Sequence, residues 1–145
     1  FFEVERYRVT VERRFDAEGR PVSLSEAVVV AVVDGERRIS ASESRDPVSQ
    51  EDRGPVNALS RALRRDLGRY QAIIDDLRLV DFKVRITSGG TEAVTRVLID
   101  SADSQGRRWS TVGVSPNIVD ASFQALMEAV TWKLIRDGAA AKAAA

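Results

Sequence analysis

Ala121-Ser122-Phe123-Gln124-Ala125-Leu126 repeats the pattern of Ala58-Leu59-Ser60-Arg61-Ala62-Leu63, and the match extends beyond these two segments. Ahead of the first stand Glu26-Ala27-Val28 and Arg37-Arg38-Ile39-Ser40; ahead of the second stand Glu92-Ala93-Val94 and Arg107-Arg108-Trp109-Ser110. Each pass is preceded by an alternating segment, Tyr7-Arg8-Val9-Thr10-Val11 in one case and Phe82-Lys83-Val84-Arg85-Ile86 in the other. The order strand, strand, strand, helix therefore occurs twice. One such unit is too small to bury its own apolar face, so two should pack together and leave a seam suited to a ligand or partner. The expected fold class is α+β: two βββα repeats, about 4–70 and 79–137, with largely antiparallel sheets and helices packed on one face.

Period two carries the strands. Val80, Phe82, Val84 and Ile86 alternate with Asp81, Lys83, Arg85 and Thr87, which predicts a half-buried strand. Val28 to Val33 is continuously apolar and predicts a central strand covered on both faces. Asp34-Gly35 suits a two-residue type I′ turn, in which both central residues need positive φ. Asp103 to Gly106 closes the corresponding hairpin of the second repeat with a longer loop, and Gly89-Gly90 reads as a hairpin turn because no helix start follows it.

The helices carry different stripes. Leu59, Leu63 and Leu67 align at helical spacing with Ala62 and Tyr70 beside them, while Arg61, Arg64, Arg65 and Arg69 read as a solvated face. The second helix, about Ile118 to Ile135, is apolar on two sides. Val119, Phe123, Met127, Val130 and Leu134 should face a sheet. Ile118, Ala121, Ser122, Ala125 and Ala129 form a strip of mostly small residues, expected to admit either the other repeat's helix or a second subunit.

Composition excludes several functions. The chain has no His and no Cys, which removes imidazole zinc ligands, a Ser-His pair, thiolate chemistry and disulfides. Lys plus Arg and Asp plus Glu both number 22, so no net field favours nucleic acid or an anionic membrane. No apolar run reaches the ~18 residues of a membrane span. Asp75-Asp76 and Glu51-Asp52 read as solvated loop charge. No catalytic residue, metal site or cofactor is expected in this chain, and a cytoplasmic setting suits its lack of Cys. The chain reads as a piece of a longer polypeptide, with an Ala-rich tail over 138–145.

An ordered series of residues also resembles a known family. Leu79-Val80-Asp81-Phe82-Lys83-Val84-Arg85-Ile86, Gly90-Thr91, Arg96-Val97-Leu98-Ile99, and Trp109 with Gly113-Val114-Ser115-Pro116-Asn117 make up one part. Ala121-Ser122-Phe123-Gln124-Ala125-Leu126 and Gly54-Pro55-Val56-Asn57-Ala58-Leu59 make up the other. Together they resemble the C-terminal regulatory (allosteric, dimerisation) domain of the 2-isopropylmalate synthase and citramalate synthase family, closer to the citramalate synthase-like branch. The resemblance runs from about Phe2 to Asp137. It implies a domain that forms a homodimer, binds a branched-chain amino acid as feedback effector, and serves a catalytic TIM barrel that condenses acetyl-CoA with a 2-oxo acid. Isoleucine is the effector implied for the citramalate branch and leucine for the other. Arg53 departs from the family's usual Asn before Gly-Pro, and the loop from Arg45 to Asp52 is longer than usual.

A free branched-chain amino acid needs an apolar slot, donors for its carboxylate and acceptors for its ammonium. Gly54-Pro55-Val56-Asn57 and Ser115-Pro116-Asn117-Ile118 each open a helix, whose first N–H groups are anion donors. Leu79, Phe82 and Ile86 could wall the slot, and Asn57, Asp81 and Thr91 could supply polar contacts. Taken alone, Phe82 and Ile86 read first as plain core, and Asn57 and Asn117 as ordinary helix starts. The resemblance assigns effector contacts to Val56, Asn57, Leu79 and Phe82, and with them Ile86, Thr91, Pro116 and Ile118.

Overall fold

The computed structural model describes residues 2–46, 54–87 and 94–138. Its elements follow the order β1 (Glu3–Phe15), β2 (Pro21–Val33), β3 (Glu36–Asp46), α1 (Gly54–Arg65), a 3-10 turn (Gly68–Tyr70), α2 (Gln71–Ile74), β4 (Arg78–Thr87), β5 (Val94–Ala102), β6 (Arg108–Ser115) and α3 (Ile118–Arg136). Two antiparallel three-stranded sheets result, ordered β1-β2-β3 and β4-β5-β6. The fold is thus the α+β arrangement of two βββα units read from the repeat. The chain divides into two compact units between Gln71 and Ala72.

In the first unit, α1 lies over β2 and β3, and the predicted stripe of Leu59, Ala62, Leu63, Leu67 and Tyr70 is buried. Ala27, Val29, Ala31 and Val33 of β2 are buried at period two, and Val30 between them is also inaccessible. Asp34 and Gly35 have φ of 52° and 81°, the turn that the sequence calls for. The arginines of α1 do more than meet water. Arg65 donates to the Ala41 carbonyl at 2.7 Å and Arg61 to that of Glu43 at 3.4 Å, so both hold the helix to the edge strand β3.

In the second unit, α3 packs on β5 and β6, and here the small-residue strip finds its use. A Cβ placed on Gly113 of β6 would stand 1.8 Å from the Ala121 carbonyl oxygen and 3.1 Å from the Ala125 nitrogen. Thr111 Oγ1 donates to the Ala125 carbonyl at 2.7 Å, and Trp109 Nε1 to that of Ala129 at 3.2 Å. The strip expected to meet either the other repeat's helix or a second subunit therefore seats α3 on its own sheet. Backbone approaches backbone this closely because Gly113 has no side chain and Ala121 and Ala125 carry only a methyl group. Phe123, Val130 and Leu134 are buried and Val119 and Met127 half-buried. At helical spacing, however, they lie about half a turn from this strip, so the face expected to meet the sheet is not the one seated on β5 and β6. Trp109 stacks on Trp132 with centroids 4.4 Å apart.

The repeat is offset by one residue where the sequence seemed to align it. Ser40 is buried while Ile39 is exposed, whereas Trp109 is buried and Ser110 exposed. Ser40 therefore takes the inward position that Trp109 takes in the second unit. The hairpin loops differ in length and shift the register accordingly.

Candidate functional site

β4 is the edge strand of the second sheet, and its side chains set the site. Cross-strand partners in an antiparallel pair point to the same side of the sheet. Phe82 stands opposite Ile99, Val84 opposite Val97 and Ile86 opposite Thr95; these β5 residues lie in turn opposite Thr111, Gly113 and Ser115 of β6. Gly113 and Thr111 face α3, so Phe82, Val84 and Ile86 lie on that same side. α3 covers β5 and β6, which leaves the apolar side chains of β4 open: Phe82 is 37% and Ile86 70% exposed. The half-buried strand and plain-core readings of Phe82 and Ile86 are corrected on this point, because the covering helix is too narrow to reach the edge strand.

A register shift between Leu79 and Asp81 adds one residue at Val80. Leu79 is consequently opposite Ser101, on the α3 side with Phe82, despite the odd spacing between them. Leu79, Phe82, Val84 and Ile86 form one apolar stripe along β4. From Leu79 to Ile86 it spans about 23 Å at strand rise. Pro116 and the exposed Ile118 lie at the Ile86 end, since Ile86, Thr95 and Ser115 form one row across the sheet. Ile86 is about 10 Å from that turn, two strand spacings away, whereas Leu79 lies at the far end.

The polar candidates are placed as follows. The exposed Asp81 accepts the Phe82 N–H at 2.8 Å and lies 3.7 Å from Lys83 Nζ. Asn117 caps α3, its Oδ1 accepting from Val119 N at 2.8 Å and Asp120 N at 3.3 Å. Those N–H groups are therefore occupied, and Asp120 adds a negative charge in the first turn, so this helix start is poorly suited to a carboxylate ligand. α1 has no acidic residue in its first turn. Val56 is half-buried there, in the first unit. Asn57 lies in the same turn, with its side chain outside the described set; Thr91, Arg53, the Gly89-Gly90 turn and Glu51-Asp52 are outside it altogether.

A buried charge network went unnoticed in the sequence. Lys133 Nζ, on α3, stands 2.9 Å from Asp103 Oδ2, 2.8 Å from Asp137 and 3.3 Å from Asp76. Arg107 reaches Asp103 at 2.6 Å and Asp137 at 2.7 Å. Asp76 also accepts from the Ser104 hydroxyl at 2.6 Å, which corrects its reading as solvated loop charge. Burial pushes the Asp103 carboxyl up, but hydrogen bonds from Lys133 and Arg107 outweigh it and hold the group far below the usual carboxylate range. The Ser104 hydroxyl lowers Asp76, and Lys133 and Arg107 lower Asp137. For Lys133, burial acts downward, and bonds from Asp137, Asp103 and Asp76 overcome it to raise the ammonium. Among the described residues, no group of His, Cys, Asp and Glu side chains is arranged to hold a metal ion. The signal available beforehand was Asp103-x-x-Gly106-Arg107, which copies Asp16-x-x-Gly19-Arg20: in both turns the aspartate Oδ1 accepts two backbone N–H groups.

Two βββα units with an uncovered apolar edge describe a binding or association module. Its family is established by comparison: the chain belongs to the LeuA allosteric (dimerisation) domain family, whose model matches residues 1–134. It is 43% identical to an (R)-citramalate synthase of Geobacter sulfurreducens over 92% of this chain and 24% of that protein. An (R)-citramalate synthase of Streptomyces coelicolor is 42% identical over 97% of this chain and 24% of its own length. A probable 2-isopropylmalate synthase of Methanosarcina mazei is 35% identical over 72% and 18% respectively. The chain thus stands nearer to the citramalate synthases, and spans about a quarter of their length.

Proposed function

We propose that this chain senses a branched-chain amino acid, isoleucine by preference, and holds a dimer for an acetyl-CoA-condensing synthase of the citramalate or 2-isopropylmalate type. In this reading the condensation of acetyl-CoA with a 2-oxo acid takes place on a catalytic barrel elsewhere in the parent polypeptide, in the cytoplasm. This chain supplies feedback inhibition and no catalytic group or cofactor. The observation that carries the reading is the open stripe of Leu79, Phe82, Val84 and Ile86. A free aliphatic side chain is the chemistry such a stripe accepts, and an exposed edge of this composition is costly unless something covers it.

Identity to citramalate synthases over nearly the whole chain supports isoleucine ahead of leucine. Isothermal titration with isoleucine, leucine and valine tests this. Isoleucine should bind most tightly, by about 1–3 kcal/mol, because the three ligands differ by a methylene or its position. Tighter leucine binding would make this a leucine-responsive domain of the 2-isopropylmalate synthase kind. No binding of any of the three at millimolar concentration would leave a ligand-free dimerisation module.

A further inference from the structure

We propose that β4 pairs antiparallel with β4 of a second copy of this chain, across a two-fold axis at Lys83, joining two three-stranded sheets into one of six. The proposal rests on the dimer reading above and adds the surface and register to it.

The sheet edges are treated unequally. β3 has its Ala41 and Glu43 carbonyls covered by Arg65 and Arg61, and β6 has its Val114 N–H bonded to Gln124 Oε1 at 3.1 Å. β1 carries charge at Glu3, Glu5, Arg6, Arg8, Glu12, Arg13 and Arg14, a common guard against edge pairing. β4 alternates Phe82, Val84 and Ile86 with Asp81, Lys83 and Arg85, and residues 80–86 are all exposed. Apolar β-formers on one side and mixed charges on the other describe a strand that accepts a partner.

Two-fold symmetry demands that the strand complement itself. A centre at Val84 sets Lys83 against Arg85 of the second copy twice, which like charges disfavour. A centre at Phe82 brings the bulge at Val80 into the ladder, opposite Val84. A centre at Lys83 uses the bulge-free run Asp81–Arg85 entirely. It sets Asp81 against the second copy's Arg85 twice, and Phe82 against its Val84 twice. Each Lys83 then lies beside its own copy, with Asp81 of its own chain 3.7 Å away to offset the repulsion. Pairing exchanges the local Phe82 N–H bond to Asp81 for a strand bond and frees that carboxylate for Arg85. The apolar stripe of one chain then continues into the stripe of the other.

The chain lacks Cys, so single cysteines report this geometry cleanly. Lys83→Cys should oxidise to a covalent dimer, with Asp81→Cys, Arg85→Cys and the β6 control Arg108→Cys remaining largely unlinked. In sedimentation, Arg85→Asp should raise the dimer dissociation constant by about tenfold, since two attractive pairs become repulsive. Adding Asp81→Arg should restore it. These side chains are exposed, so circular dichroism should show every variant folded. A dimer that neither links at Lys83 nor weakens on charge reversal overturns this surface while the dimer reading stands. A chain that is monomeric at tens of micromolar overturns the dimer reading itself.

Discussion

Lys133 Nζ and Asp103 Oδ2 meet at 2.9 Å with side chains 1% and 0% exposed, a salt bridge sealed from solvent that ties the last turns of α3 to the β5–β6 hairpin. Asp76 joins it from the segment leading into β4, two residues before the strand that carries the open stripe. Removing one member of a buried charge group leaves the others uncompensated. Lys133→Ala should therefore cost about 3–5 kcal/mol, read from denaturant unfolding. A loss below 1 kcal/mol would show the network to be incidental.

The same network fixes the acid limb of stability. Asp76, Asp103 and Asp137 are depressed in the folded state, so their contribution is present above the unfolded carboxylate value and lost as pH falls through the folded ones. Lys133 is raised, so its contribution is complete below the ordinary lysine value and is lost as pH climbs through the folded one. Thermal melts should be flat through neutral pH and decline below about pH 4. Melting temperatures that rose on acidification would contradict this.

Gly113→Ala should destabilise the second unit, because the added Cβ meets the Ala121 carbonyl and both partners are backbone. The cost should reach the upper end of roughly 1–3 kcal/mol. Ala125→Glu should be worse still, placing a charge between α3 and β6. Its main readout is unfolding of this unit, since Ala125 belongs to the intramolecular contact.

Asn117→Ala should cost about 1 kcal/mol through loss of the α3 cap. It would also free the Val119 and Asp120 N–H groups. Chemical denaturation of the variant against the wild type measures the loss.

The repeat, the antiparallel hairpins and the leucine stripe of α1 were legible in the sequence because local periodicity determines each of them. The role of the Ala121–Ala125 strip was not, since small residues admit a helix and a sheet equally and only the Gly113 contact decides between them. β4 misled for a related reason. Alternation at Phe82, Val84 and Ile86 shows which face is apolar, but whether a helix is broad enough to cover it depends on where α3 lies. The bulge at Val80 was likewise hidden, and it sets Leu79 on the same side as Phe82. In the Lys133 network only the Asp103-x-x-Gly106-Arg107 turn is legible locally; that Lys133, Asp76 and Asp137 meet it is a tertiary matter that no pattern of spacing reveals.

Phe82→Ala is a cleaner probe than a core substitution, because Phe82 is partly exposed and its removal leaves no sealed cavity. The variant should keep the wild-type fold and melt near the wild-type temperature, yet lose its response to isoleucine. A variant that still responds fully would exclude this part of the stripe from the site.

The shift in melting temperature with added isoleucine tests the sensing reading most directly. A ligand at a hundred times its dissociation constant that binds only the folded chain adds about 2.7 kcal/mol. At roughly 2–4 °C per kcal/mol for a domain of this size, the melting point should rise by on the order of 5–10 °C, and by less with leucine or valine. No shift with any branched-chain amino acid at millimolar concentration would contradict it.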